Sequence, residues 1–528
     1  MTDSNDDIAA APDPRGSAAP EPEPGPDGSE GPEAPSDGSL DVPGRAIRRR
    51  LRAAVALTLV AAIVVFGAIG GTRLAGVPSG NPAPTPRPAR LVTVDATGGL
   101  TTSDGVGGSV VPYPAPGVQF QFPAWSPDGS HIAAIGLAGG SGAVYVFAVP
   151  PPGAPASTAI ASTIPSAAPG AGTDESGVIY TSPDRQPFYL YWAPDSRQVT
   201  FLTSEPTGIA LRVAPADGSV AAATIRQGAP LYWDWVDQGR LLAHIGGNAA
   251  DAFVGEVGLD GTSSDATVIT PGASISPGAS PAANTALSPG TFRSPVVSRD
   301  DRYRAYVEAT NGATQEIVLQ ARDGSSTRTV AVAGATALGF DPTGDSLAYV
   351  TPSESATQPS SLPVGPLRIM DPSTGSSRTL LGGNVVGFFW APDGKTIAAL
   401  VPAGPGNNGV QANAARGLSV LYRPTGPRTG TPDVVDAAAG IGLHLAFVDV
   451  ASGSIRSARD IRVSLTFVNQ VLPFFDQYAL SHRFWSADSA ALALPLVAAD
   501  GADQLGVIPA DGSAQRAIPN RVIGFWSP

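Results

Sequence analysis

The chain has 528 residues, and its 62 Gly and 53 Pro against 15% charged side chains favour a turn-rich β protein over a helical one. It has no Cys, which excludes disulfides, thiol nucleophiles and thiolate metal sites. Of 32 basic and 45 acidic side chains, 8 and 11 lie in the first 89 residues, so the remainder stands near −10 and non-specific nucleic-acid binding is disfavoured.

Residues 1–44 hold nine Pro, eleven Asp or Glu, one Arg and almost no large apolar side chain. Such a segment cannot bury enough surface to offset its ordering entropy, and it reads as a disordered acidic tail. Arg45, Arg48, Arg49, Arg50 and Arg52 follow, directly ahead of residues 53–71, a run of nineteen without a charge. As a helix that run reaches about 28 Å, enough for the hydrocarbon core of a bilayer. Residues 45–75 therefore read as an uncleaved transmembrane anchor. The Arg cluster places the tail in the cytoplasm and everything beyond the anchor outside, as a single-pass membrane protein. Residues 76–89 are Pro-rich and read as an extended stalk.

From Arg90 onward one stretch returns. Its clearest copy is Trp390-Ala391-Pro392-Asp393-Gly394-Lys395-Thr396-Ile397-Ala398, a strand, a tight turn and a strand. Pro fixes φ at the first corner, Asp caps the turn, and Gly takes the positive-φ position without steric cost. Further copies start at Trp125, Trp192, Trp235, Val297, Phe340, Trp485 and the terminal Trp526. Eight residues past the first seven aromatic or equivalent positions stand Ala133, Thr200, Ala243, Ala305, Ala348, Ala398 and Ala493, a repeat held in one register.

A third strand ending in a Gly turn follows each hairpin, as at 209–213 before Asp217-Gly218 and 504–508 before Asp511-Gly512, and a fourth strand follows that. Four antiparallel strands in meander order make a propeller blade, so residues 90–528 read as an all-β ectodomain, a β-propeller. The W-S/A-P-D-G motif resembles the TolB-type, WD-repeat-like β-propeller repeats of bacteria, and the resemblance spans about 90–528. Two copies depart from it, at Val297 and at Trp235, where no Pro follows the aromatic.

The ends of this region complete each other. Residues 521–526 are a first strand with nothing after it, while 90–95 read as a third strand and 110–113 as a fourth. Joining them pairs the two termini of the domain and removes exposed edges. The count is then eight blades, or seven if one degenerate copy is not a blade. The a–b and c–d turns are short. The long inserts at 271–290, 402–440 and 466–482 fall mainly on the opposite face, where binding is more readily carried, and 150–187 fits either face.

Catalytic signals are sparse. His131, His244, His444 and His482 lack metal-ligand spacing, no G-x-S-x-G elbow occurs, and the many Asp sit in turns that capping explains. No cofactor is implied. The sequence reads as a non-enzymatic binding or scaffold module for an extracytoplasmic protein, peptide or envelope polymer. The alternatives are a propeller-based glycan or peptide hydrolase or lyase, and a signalling receptor ectodomain. Convergence of acidic side chains in the central channel would favour the hydrolase or lyase. The candidate binding stretch is Phe474, Phe475, Tyr478, His482 and Arg483, aromatics concentrated in an interblade connection. The competing role for the same aromatics is to cover the propeller's own core.

Overall fold

The computed structural model describes residues 89–150, 176–206, 208–245, 253–262, 268–271, 295–310, 314–352, 363–403 and 440–528. The tail, the anchor, the stalk up to residue 88, and most of the inserts at 150–187, 271–290 and 402–440 lie outside them. Among the described residues no helix is long and apolar enough to cross a membrane.

Among the described residues the strands form six four-stranded antiparallel sheets and one of seven strands. The larger sheet is two units joined through a single residue pair, Val463 with Leu496. The first strand of its second unit is reduced to a bridge between Trp485 and Leu492. Counted this way, eight four-strand units follow one another. First strands of successive units pack side by side: Gln119–Trp125 on Pro187–Trp192, then Leu231–Trp235 on Val296–Val297 and Val296–Val297 on Ala337–Phe340. The eighth unit packs on Ile523–Trp526 of the first. The array is a closed ring of β-propeller order, with the first strand of each unit innermost.

Closure is by direct pairing of the ends. Ile523–Trp526 lies antiparallel to Arg90–Val94, with Leu91 opposite Trp526 and Val94 opposite Ile523. Leu100–Asp104 and Val111–Pro112 complete the sheet. This corrects one assignment: Arg90–Val94 is the second strand of its unit, not the third. The third is Leu100–Asp104, whose sequence LTTSD lacks the apolar run that marks its counterparts, because polar side chains, Thr102 and Ser103, are buried there.

The turn chemistry holds around the ring. Gly129, Gly344 and Gly394 take φ of 69°, 86° and 68° at the same turn position. In three other units Ser196, Asp301 and Ser489 occupy it at φ of 61° to 63°, a conformation that costs an L residue energy. Two of them gain something in exchange. The Ser196 hydroxyl accepts the Asp128 amide at 3.1 Å and the Ser489 hydroxyl accepts the Asp393 amide at 3.0 Å, each tying its turn to that of the preceding unit.

The conserved register of the aromatic has a mechanism. Each of four indoles donates to the carbonyl just ahead of the corresponding aromatic in the preceding unit: Trp125 to Phe525, Trp192 to Ala124, Trp390 to Gly339 and Trp485 to Phe389, at 3.0–3.2 Å. The six Ala of the repeat are fully buried, since a larger side chain there has no room between adjacent sheets. The seventh position, Thr200, is the informative exception. Its hydroxyl donates to Tyr191 O at 2.8 Å and accepts the Trp233 indole at 3.1 Å, so it takes over the stitch in the unit where Trp235 makes none. Farther out, Arg328, Arg378 and Arg459 on three successive fourth strands each reach the third-to-fourth turn of the next unit, at Ser373 O, Val450 O and Ser513 O.

Two outcomes are expected. Thr200→Ala leaves the buried Trp233 N–H without an acceptor and should lower unfolding free energy by about 1–3 kcal/mol in denaturant titration. Deleting 521–528 removes an inner strand and strips Arg90–Val94 of its partner, so the product should be insoluble or lack a cooperative melting transition. An unchanged melting transition would disprove closure by this pairing.

Candidate functional site

Between the fourth strand of the seventh unit, Ile455–Val463, and the bridge at Trp485, the chain leaves the sheets altogether. It forms a π turn at Phe467–Val471, a 3-10 turn at Leu472–Phe474 with Pro at its start, and a short α-helix at Phe475–Ser481. Phe467, Val471, Phe475 and Tyr478 recur at intervals of three and four, the spacing that gathers apolar side chains on one helical face. All four are buried.

That face is turned into the ring. The Phe475 ring lies 5.3 Å from Phe388 and 6.1 Å from Phe389 in the inner strand of the seventh unit. Tyr478 lies 5.4 Å from Phe122 in the second unit and 5.6 Å from Tyr189 in the third, and the Tyr189 hydroxyl donates to Gln477 O at 2.8 Å. The His482 ring sits 4.5 Å from Phe525 of the first unit, its Nε2 3.4 Å from Phe122 O. The helix also packs on Ala337–Phe340 of the sixth unit. One segment thus touches the inner strands of five units, and it fills the middle of the ring with its own side chains. Phe122 has a φ of 45° at a register shift of its strand between Gln121 and Ala124, where the Tyr478 ring and His482 lie against it.

The five candidate residues are therefore brought together, but mostly inward. Phe475, Tyr478 and His482 are buried, while Phe474 and Arg483 keep partial access to solvent. The connection is not an open loop on the long-insert face.

The electrostatics of this interior favour neutral forms. Asp476 is buried; its Oδ1 accepts the Gln477 amide, its Oδ2 has no partner among the described residues, and burial pushes its pKa well above the carboxylate range. Burial likewise brings His482 down to about 3 and raises the Tyr189, Tyr232 and Tyr478 hydroxyls. Asp234 is handled differently. It takes the Tyr191 hydroxyl at 3.0 Å, the Trp235 amide at 2.8 Å and the Val297 amide at 2.9 Å, so it clamps the third, fourth and fifth units together. Neither carboxylate is set up as one of an open acid–base pair, and among the described residues no three His, Cys, Asp or Glu side chains gather as a metal site. Asp234, Asp476 and Gln477 were not singled out from the sequence. The helical spacing around Asp476 was a usable signal, whereas the Asp234 clamp depends on neighbours from other repeats.

No protein-family profile and no curated protein matches the chain. Solved structures do. TolB from Acinetobacter baumannii is 15% identical over 55% of this chain and 62% of that one, with a TM-score of 0.31. Apo AztD from Citrobacter koseri is 12% identical over 83% and 97%, with a TM-score of 0.39. The β-propeller domain of the Trilobed protease from Pyrococcus furiosus is 12% identical over 63% and 91%, with a TM-score of 0.35. The TolB-type likeness carried by the repeat motif is found again among these structures.

Two further outcomes follow from the packed centre. Phe475→Ala should cost about 3–5 kcal/mol in denaturant titration, the loss usual for a buried Phe. A variant with unchanged stability would place Phe475 outside the core. The two buried titratable groups act in opposite directions with pH. Asp476, raised on folding, contributes stability that is lost as pH rises above about 3.9, its unfolded value. His482, depressed on folding, takes stability away as pH falls below about 6.5. Asp476→Asn should therefore melt higher than the natural chain at pH 8, and the two melting curves should converge toward pH 4.

Proposed function

We propose that the chain is a membrane-tethered, extracytoplasmic, eight-bladed β-propeller that acts as a non-enzymatic docking module for a protein, peptide or envelope polymer. The observation that carries this reading is the filled centre. Because the helix at Phe475–Ser481 occupies the middle of the ring, the place where a propeller would admit a small substrate is taken by buried aromatic side chains. Partners then meet the outer faces, on a scaffold kept rigid by the indole stitches and arginine clasps. The negative balance of residues 90–528 disfavours nucleic acid as that partner. The tether is residues 53–71, with the Arg-flanked side and the tail in the cytoplasm, and 76–89 as the stalk.

Protease added to intact spheroplasts should cut in 76–89 and release the propeller while an epitope in 1–44 stays protected. Protection of everything beyond residue 90 would overturn the orientation. Capture from membranes with the N-terminally tagged full chain, after cross-linking, should recover a partner that a chain lacking 90–528 does not.

A further inference from the structure

We propose that a cleft between the sixth and seventh blades, at their short-turn end, binds a small organic anion that carries a carboxylate or phosphate group. The cleft has a volume of about 640 Å³, within the range of small-molecule sites. Its walls are short turns of both blades and the first residues of their fourth strands. None of the central helix lines it, so a ligand here is independent of the docking role.

Three cations face this cleft, and two of them are not neutralised. Lys395, the one lysine of the chain, stands in the first-to-second turn of the seventh blade. Its backbone is held on both sides: its amide donates to Asp393 Oδ1 at 2.9 Å and its carbonyl accepts the Val450 amide at 3.0 Å. Its side chain is exposed, and the ammonium has no hydrogen-bond or ion-pair partner among the described residues. Arg378 crosses from the sixth blade, where its Nη2 donates to Val450 O and, at 3.4 Å, to Ala451 O. Those carbonyls hold the guanidinium in place without cancelling its charge, and its Nε and Nη1 have no partner among the described residues. Arg456 differs, since Thr396 Oγ1 takes its Nη1 at 3.1 Å and Asp449 meets its charge. The other carboxylate of the lining, Asp371, accepts the Ser373 amide and hydroxyl at 2.7 Å and pairs with no cation among the described residues. Three cations against two carboxylates leave the cleft positive, in a region whose overall balance is negative. An ammonium and a guanidinium with free donors, both fixed at one cleft, suit an oxyanion. Ile369 and Val450 add apolar surface beside them, which suits an organic anion over a bare ion.

The test uses the full chain in a non-ionic detergent, titrated calorimetrically at matched ionic strength with succinate, glycerol 3-phosphate or succinamide, the uncharged counterpart of the first. Saturable one-to-one binding of either anion, with no such heat from succinamide, is the expected result. Succinate alone would assign a carboxylate ligand, glycerol 3-phosphate alone a phosphoryl one. Lys395→Gln should weaken binding at least about tenfold, the loss of one charge-assisted contact. The same variant should melt with the natural chain, because the side chain it alters is exposed and unpartnered among the described residues. Arg516→Gln removes an exposed cation of the eighth blade that does not line the cleft, and it should bind as the natural chain does. No saturable binding of either anion, equal binding of succinamide, or natural affinity in Lys395→Gln would overturn the site. Equal weakening in Lys395→Gln and Arg516→Gln would do the same, since overall charge would then account for the binding. A lower melting transition in Lys395→Gln would reveal a structural partner for the ammonium and likewise overturn it.

Discussion

The whole ring rests on four residue pairs between Ile523–Trp526 and Arg90–Val94. These strands are separated by more than 400 residues, so the contact that closes the structure is also the one with the greatest loop-closure cost. Much else is built on it. The Trp125 indole reaches Phe525 O, the His482 ring lies on Phe525, and Arg483 is fixed through the Trp526 amide. Until the last strand docks, the second blade lacks its stitch and the central segment lacks one of its walls.

The interior contains two solutions to the same physical problem. Asp234 is met by a hydroxyl and two amides from three units, which supply the hydrogen bonds its carboxylate would lose on leaving water. Asp476 has one amide and no other partner among the described residues, so burial favours its neutral form. A hydrogen-bonded carboxylate holds units together. A protonated one makes the central segment tolerable to aromatic neighbours, and it leaves the helix dependent on proton uptake. His482 completes the pattern as a neutral imidazole between the Ser481 hydroxyl and Phe122 O.

Much of the fold was legible in the sequence because it is written locally. Pro, Asp and Gly at fixed offsets specify a turn, and Trp and Ala at fixed offsets specify which face of a strand meets the next sheet. Departures from the repeat also had local causes, as Thr200 shows by replacing a missing indole contact with a hydroxyl. Leu100–Asp104 escaped because its buried positions are Thr and Ser, which carry no hydrophobic signal. The helix at Phe475–Ser481 was readable as periodicity but not as location, since nothing in a linear sequence says that a connection turns inward. The chemistry of the centre was the least legible. Asp234 and Asp476 acquire their character from blades that are neighbours only after the ring has closed.

The position of Arg90–Val94 in its sheet has a mechanical consequence. This strand is flanked by Leu100–Asp104 on one side and Ile523–Trp526 on the other. A pull applied at Ala89 along the strand axis would load two ladders in shear and be shared among several hydrogen bonds. Had the domain begun with an outer strand, the same pull would have peeled one ladder bond by bond. Because Arg90–Val94 stands one strand out from the axis, with Ile523–Trp526 paired against it, such a pull would meet both ladders together rather than unzip one.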